Sequence, residues 1–471
     1  MIDRRAALLG LLVFSLPPSS AAAYEFSVDL RTIGQGYQVR RYGADGNNEL
    51  LSRRRLTQYV DLNVFDIAPT RLRGDYGERN LLSFEASLRF DTDFGGYMLG
   101  RPTGVDEIGE LKQSQLDILY AFLGGRNVGG RVDFQLGRQL KFDLVDFFAF
   151  DGGDAVFHIT PAAAVEAFAG TEVRGELPLS APIYELDGTS AGSRDVVTRP
   201  GQAKMLRPLV GAAVLAGREG GPLAARLAYR RVWSATADRL PGEPESGVND
   251  EKLSLVATGF WRKRVQMVAG ARFNLLLGEF DDQQLVLRLR TAGRQWLSVE
   301  QSYLAPNFDG DSIWNVFAAG AYRDFRGVYE IGIGPELKTY ARGFARFFTA
   351  SGFAAGGSLG AVWRRGRGLV RGDSYWDDGY GGRKLGVDVA ARAPVHRRLD
   401  LEGRLTGYHW RTDQPVAATA SSGGVVFGAQ AGGRYRLGEG MRLHLLGEDN
   451  ISTYYLSQFR VLAVLELEAS L

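Results

Sequence analysis

Apolar residues recur at every second position in segment after segment of this chain, and a period of two is incompatible with a helical fold. From Ser83 to Asp91, Phe84, Ala86, Leu88 and Phe90 alternate with Ser83, Glu85, Ser87, Arg89 and Asp91, giving a strand with one greasy and one charged face. Phe26, Val28 and Leu30 oppose Ser27, Asp29 and Arg31 in the same way, and Val60, Leu62 and Val64 oppose Tyr59, Asp61 and Asn63. Leu116, Ile118, Tyr120 and Phe122 oppose Gln115 and Asp117. Further along, Leu223, Ala225, Leu227 and Tyr229 oppose Arg226 and Arg230, and Met267, Ala269, Ala271 and Phe273 oppose Gln266, Arg272 and Asn274. Leu285, Leu287 and Leu289 oppose Arg288 and Arg290, and Leu399, Leu401 and Leu405 oppose Asp400, Glu402 and Arg404. The chain reads as all-β.

Alternation alone fits a soluble sandwich as well as a barrel in lipid. The connections separate the two. Short turns at 124–130, 217–221, 262–264, 292–294, 394–397 and 437–440 alternate with longer polar stretches at 95–109, 172–204, 239–250, 340–352 and 411–422. Short turns on one rim and long loops on the other are the habit of bacterial outer-membrane barrels. No stretch approaches ~18 uninterrupted apolar residues, so the chain enters a membrane as strands or not at all. Some 20 to 22 strand-like runs can be counted, several of which read as two pieces of one bent strand. The expectation is a single antiparallel transmembrane β-barrel of about 18 strands, an even number between 16 and 22. Such a width holds water or an inserted plug.

The first residues predict export. Asp3, Arg4 and Arg5 precede an apolar run from Ala6 to Leu16, Pro17 and Pro18 break it, and Ala21 to Ala23 supply small residues before a cleavage site. Residues 1–23 are expected to be a signal peptide and residues 24–471 the barrel, in the bacterial outer membrane. The C-terminal run Val461, Ala463, Leu465, Leu467, Ala469, Leu471 alternates to its end, as strands recognised by the barrel assembly machinery do, although Leu replaces the usual aromatic.

The chain has no cysteine, which excludes disulfides, thiolate metal sites and cysteine nucleophiles together. Four scattered histidines, His158, His396, His409 and His444, leave little material for zinc or a general base. No serine sits in G-x-S-x-G, and Asp377 and Asp378 in WDDGYGG fit an acidic external loop better than a calcium site. No cofactor and no metal are expected. A net charge of +2 gives no argument for nucleic acid. Trp233, Trp261, Trp296, Trp363 and Trp410, with Tyr120 and Phe122, fall toward segment ends, where an interfacial girdle is expected.

The charged positions opposite the apolar faces are the candidate lumen. Arg31, Arg89, Arg131, Arg226, Arg230, Arg272, Arg288, Arg290 and Arg404 supply cations; Asp29, Glu85, Asp91, Asp117, Asp133, Glu300 and Glu402 supply acids. Arginine far outnumbers lysine, and its fork grips carboxylates and sugar rings. Each such residue could equally serve a cross-strand ion pair that stiffens the wall.

The segment Leu116 to Phe157 carries the most distinctive string, with Leu136-Gly137-Arg138-Gln139 followed by Phe150-Asp151-Gly152. Here the chain resembles the bacterial alginate-export family of outer-membrane barrels. That resemblance covers only this segment, and it implies an 18-stranded polysaccharide exporter with inward arginines and acids at a constriction, carried over onto Arg138 with Gln139 and Asp151 beside it. Parity, however, sets Arg138 on the side of Val132, Phe134 and Leu136. A bulge at Gly137 would return it to the lumen; without one it snorkels at the rim.

The leading functional expectation is a non-enzymatic channel passing polysaccharide through a polar, arginine-rich lumen. Its expected partners are outer-membrane lipid and lipopolysaccharide, the assembly machinery, a periplasmic polysaccharide-export protein and the polysaccharide or sugar solute. A general or sugar-selective uptake porin is the alternative, and an outer-membrane barrel hydrolase is a third reading.

Overall fold

Each strand among the described residues finds an antiparallel neighbour on both sides. In the computed structural model 22 strands of the described residues form one sheet, and β1 (Glu25–Tyr42) pairs with both β2 (Asn48–Phe65) and the last of them, β22 (Tyr455–Ser470), so the sheet closes into a barrel. Closure removes every sheet edge, which is what a strand protein needs in a medium that cannot hydrogen-bond exposed backbone. The structure describes residues 25–42, 48–67, 81–93, 114–173, 207–218, 221–233, 247–262, 264–305, 320–349, 352–412, 422–453 and 455–470. The expected signal peptide, 1–23, and most of the long polar loops lie outside these residues.

The all-β barrel is as the alternation requires, but the count is 22 and not about 18. Runs that read as halves of bent strands are complete strands joined by tight turns, such as the two residues between β6 (Phe147–Thr160) and β7 (Ala163–Glu172). The stretch 340–352, expected as a loop, is mostly β15 (Leu337–Phe348). Asp377 and Asp378 lie within β17 (Gly368–Gly379) and not in a loop.

Cross-strand register assigns the two faces. Along β18 (Gly382–His396), Leu385, Val387 and Val389 point outward and are exposed, as are Leu401 and Leu405 on β19 (Leu399–Arg411). The outward apolar belt faces lipid, and the charged positions between these residues face the interior.

One stretch of wall breaks the simple alternation. Between β3 (Leu81–Asp93) and β4 (Ser114–Val128), Ser87 pairs with Tyr120 while Leu88 pairs with Ile118, so Leu119 is an extra residue, a β-bulge. Leu116 and Ile118 face out, but Tyr120 and Phe122 face the lumen with Ser87 and Glu85. These two aromatics are therefore not girdle residues.

Candidate functional site

The lumen has a closed sector and an open one. The closed sector begins at the short connection Asp143-Leu144-Val145-Asp146 between β5 (Val132–Phe142) and β6. An aspartate carboxylate can satisfy nearby main-chain N–H groups, and Asp143 accepts from the N–H of Val145 at 3.0 Å and of Asp146 at 2.8 Å. The strap so formed dips inward and reaches strands several places round the wall. Arg226 and Arg230 of β9 (Leu223–Trp233) grip it, Arg226 on Asp143 at 3.0 Å and Arg230 on Asp146 at 3.2 Å. Arg272 of β11 (Val265–Asn274) donates to the main-chain oxygen of Val145 and holds Asp281 at 2.7 Å. Leu144 and Val145 lie over Gly270, where a Cβ would come within 2.7 Å of Val145.

Beneath the strap the lumen side of the wall carries a small apolar core of Phe148, Phe150, Phe168, Leu209 and Val232. The three phenylalanine rings sit 5.6 to 5.9 Å apart in tilted contact. Each such side chain contributes about 1.5–3 kcal/mol by leaving water. Lys141 joins Asp154 at 2.8 Å and Glu166 at 2.6 Å alongside them. The ion pairs here are buried on both sides: the side chains of Arg89 and Asp117 are only 5% and 3% exposed.

The open sector runs from β12 (Glu279–Ala292) round to β22, and here most of the described ion pairs expose the cation more than the carboxylate. Arg404 is 55% exposed while its partner Asp388 is 14% exposed; Arg371 is 45% exposed and Asp373 8%. Arg326 is 47% exposed against 0% for Asp324. The same ordering holds for Arg288 over Glu330, Arg434 over Glu402 and Arg460 over Glu448. Carboxylates lie against the wall and guanidinium groups stand above them in the water of the lumen. Arginine suits this layered arrangement because its fork can pair with a carboxylate and still present N–H groups outward.

Most of the residues expected in the lumen face it. Arg89, Asp91, Asp133, Gln139, Arg226, Arg230, Arg272, Arg288, Arg290 and Arg404 are all on the inner face. Arg89 and Asp91 form one cluster with Arg55, and Arg226, Arg230 and Arg272 form a second around the strap. Arg288 and Arg290 flank the inward-facing Trp296, with guanidinium carbons 4.7 and 5.9 Å from the ring centre. Arg131 lies in the turn before β5.

Arg138 and Asp151 are elsewhere. Gly137 has a φ of 130° but does not shift the register: Leu136, Gly137 and Arg138 pair in sequence with Gly153, Gly152 and Asp151. Arg138 therefore lies on the outer face beside Leu136, and its Nε donates to Asp151 at 2.7 Å. Gln139, one residue on, turns inward over Gly137 and donates to the main-chain oxygens of Gln135 and Gly152.

Two of the four histidines have carboxylate partners. His158 Nε2 is 2.8 Å from Asp133, and His444 Nε2 is 2.5 Å from Glu402. Asp377 and Asp378 point to opposite faces of β17, so they do not converge on one cation. The strap aspartates and Arg326, Arg342, Arg364 and Arg371 escaped the sequence reading. For Arg326 the signal was present in the alternation of Tyr322, Asp324 and Arg326 with Arg323 and Phe325.

No family model matches the chain, and no curated protein does. Among solved structures it is similar to OccAB4 of Acinetobacter baumannii, with a TM-score of 0.44 and 9% identity over 97% of this chain and 100% of that one. A BenF-like porin from Pseudomonas fluorescens Pf-5 aligns with a TM-score of 0.43 and 10% identity over 95% of this chain and 99% of the other. The outer membrane protein opdK of Pseudomonas aeruginosa aligns at 0.40 and 11% over 95% and 99%.

The resemblance to the alginate-export family is corrected by the fold. The barrel has 22 strands among the described residues where that family implied 18. The motif misled because Leu-Gly-Arg-Gln is short and its arginine faces outward here. Polysaccharide export, which rested on that resemblance, loses its support. The chain is a bacterial outer-membrane β-barrel with a polar lumen.

Proposed function

We propose that this barrel is a passive uptake channel for small solutes, with a preference for anions. The carrying observation is the one-sided exposure of the ion pairs from β12 to β22, where guanidinium groups meet the lumen water and carboxylates are tucked against the wall. A solute in that sector meets fixed positive charge at contact range, while the compensating negative charge lies a side chain deeper. Field focusing in a narrow aqueous path between low-dielectric walls strengthens the effect.

The strap and the apolar core beneath it support small cargo over polymer. They occupy one side of the lumen, so the free path is narrower than the strand number alone implies. Passage needs no catalysis and runs down the solute gradient.

Liposome swelling tests this reading. Vesicles holding the purified barrel should swell readily in small carboxylates such as gluconate, more slowly in neutral hexoses of similar size, and hardly at all in long oligosaccharides. Equal rates for charged and neutral solutes would remove the anion preference, and free passage of long oligosaccharides would remove the small-solute reading.

A further inference from the structure

We propose that the open sector ends in a dedicated binding station for a compact polyanion, a solute carrying two or more carboxylate or phosphate groups. The inference rests on the anion-preferring reading and adds a site and a ligand class to it. The site is a cavity of about 420 Å³ on the lumen side, at the rim where the short turn Gly334-Pro335-Glu336 joins β14 (Tyr322–Ile333) to β15. In barrels of this kind the short-turn rim is periplasmic, so the station lies at the inner mouth of the path. Its volume is in the range of small-molecule sites.

Four cations in it are already committed. Arg288 and Lys338 share Glu330, at 3.5 and 2.8 Å. Arg371 holds Asp373 at 2.5 Å, and Arg294 donates to the main-chain oxygen of Gly334, tying down the turn. The second carboxylate of the lining, Glu336, accepts from Trp363 at 3.2 Å. Arg342 and Arg364 are different. Both line the cavity and both are exposed to its water, and neither has a carboxylate within ion-pair distance among the described residues.

Two such guanidinium groups in one concave site favour a ligand with two anionic ends, because each fork can take one carboxylate or phosphate edge-on. The remaining walls suit a compact solute. Trp296 closes one side with Arg288 stacked 4.7 Å from its ring centre, and Tyr340 closes another with Arg342 at 4.3 Å. The Tyr340 hydroxyl is held by Asp373, so the ring is fixed in orientation. With Glu330 shared by two cations and Glu336 engaged, the cavity has a net surplus of positive charge for the solute to neutralise.

Single-channel recording tests the station, with citrate or pyrophosphate added to the short-turn side. Both should interrupt the chloride current of the wild-type channel at millimolar concentration or below, and acetate at the same concentration should not. In the double variant Arg342→Gln with Arg364→Gln, the blocking concentration should rise tenfold or more, while reversal potential in a potassium chloride gradient keeps its anion-selective sign. Citrate block alone would assign the station to polycarboxylates, and pyrophosphate block alone to phosphorylated solutes. Equal block in the wild type and the double variant, or no block by either probe in an anion-selective channel, would overturn the station and leave the general anion preference standing. A wild-type channel that is not anion-selective would instead overturn the reading on which the station rests.

Discussion

Arg272 and Val145 are 127 positions apart in the chain and joined by a hydrogen bond, from the guanidinium to a main-chain oxygen. The contact fastens a strap born on one arc of the barrel to a strand on another. Arg272 also holds Asp281 at 2.7 Å, so one side chain anchors the strap to the wall.

Arg272→Gln should therefore loosen the strap. Removing one partner of a largely buried charged cluster costs about 3–5 kcal/mol, enough to loosen the Val145 end of the strap while Arg226 and Arg230 still hold Asp143 and Asp146. The expected outcome is a larger mean conductance with frequent transitions between levels in single-channel recordings. An unchanged, quiet channel would show that the strap does not limit the path.

Arg138 and Asp151 supply a contrasting expectation. Their ion pair lies on the outer wall, so Asp151→Asn should leave ion selectivity untouched while depriving a lipid-facing guanidinium of its carboxylate. The cost of charge on a lipid face is about 2–4 kcal/mol at the midplane and less toward the interfaces. Urea unfolding of the barrel in lipid vesicles should show destabilisation within that range, and the double variant Arg138→Leu with Asp151→Leu should recover much of it. A change of selectivity on Asp151→Asn would place the pair in the lumen.

The bulge at Leu119 is open to direct labelling, because the chain has no native cysteine to confuse the result. Tyr120→Cys should react with a water-soluble thiol reagent from the lumen, and Ala121→Cys, one residue on, should be protected by lipid. The reverse pattern would mean that the alternation runs through Leu119 without a break.

Gly152 tests the tight backbone contact beneath the closed sector. A Cβ there would stand 2.1 Å from the main-chain oxygen of Ala169, a distance only backbone movement could relieve. Gly152→Ala should reduce the folded fraction, read as loss of the heat-modifiable band in gel electrophoresis, whereas Gly372→Ala, which has open space for a Cβ, should fold normally.

These particulars also mark how far the sequence could be read. Strand identity and the direction of Arg89, Arg226, Arg230, Arg272, Arg288 and Arg404 were legible, because a period of two fixes faces as long as register is continuous. Tyr120 and Phe122 were misassigned because a bulge inserts one residue without leaving a turn signal. The strand count was low because two-residue turns such as that between Thr160 and Ala163 look like bends within one strand. The strap was not legible: Asp143 and Asp146 gain their meaning from arginines some 83 and 84 positions away, a pairing that no local pattern encodes. Nor could alternation tell which member of each lumen ion pair stands nearer the water.

Which member of each ion pair stands nearer the lumen water is measured most directly by reversal potential. Under a tenfold potassium chloride gradient at low ionic strength, the wild-type barrel in a planar bilayer should give a potential of the sign that reports chloride permeation. Selectivity should weaken toward 1 M salt, where the screening length falls to about 3 Å. Replacing Arg326, Arg371 and Arg404 together by glutamine should bring the potential close to zero or reverse it. A cation-selective wild-type channel, or a triple variant as anion-selective as the wild type, would contradict the account.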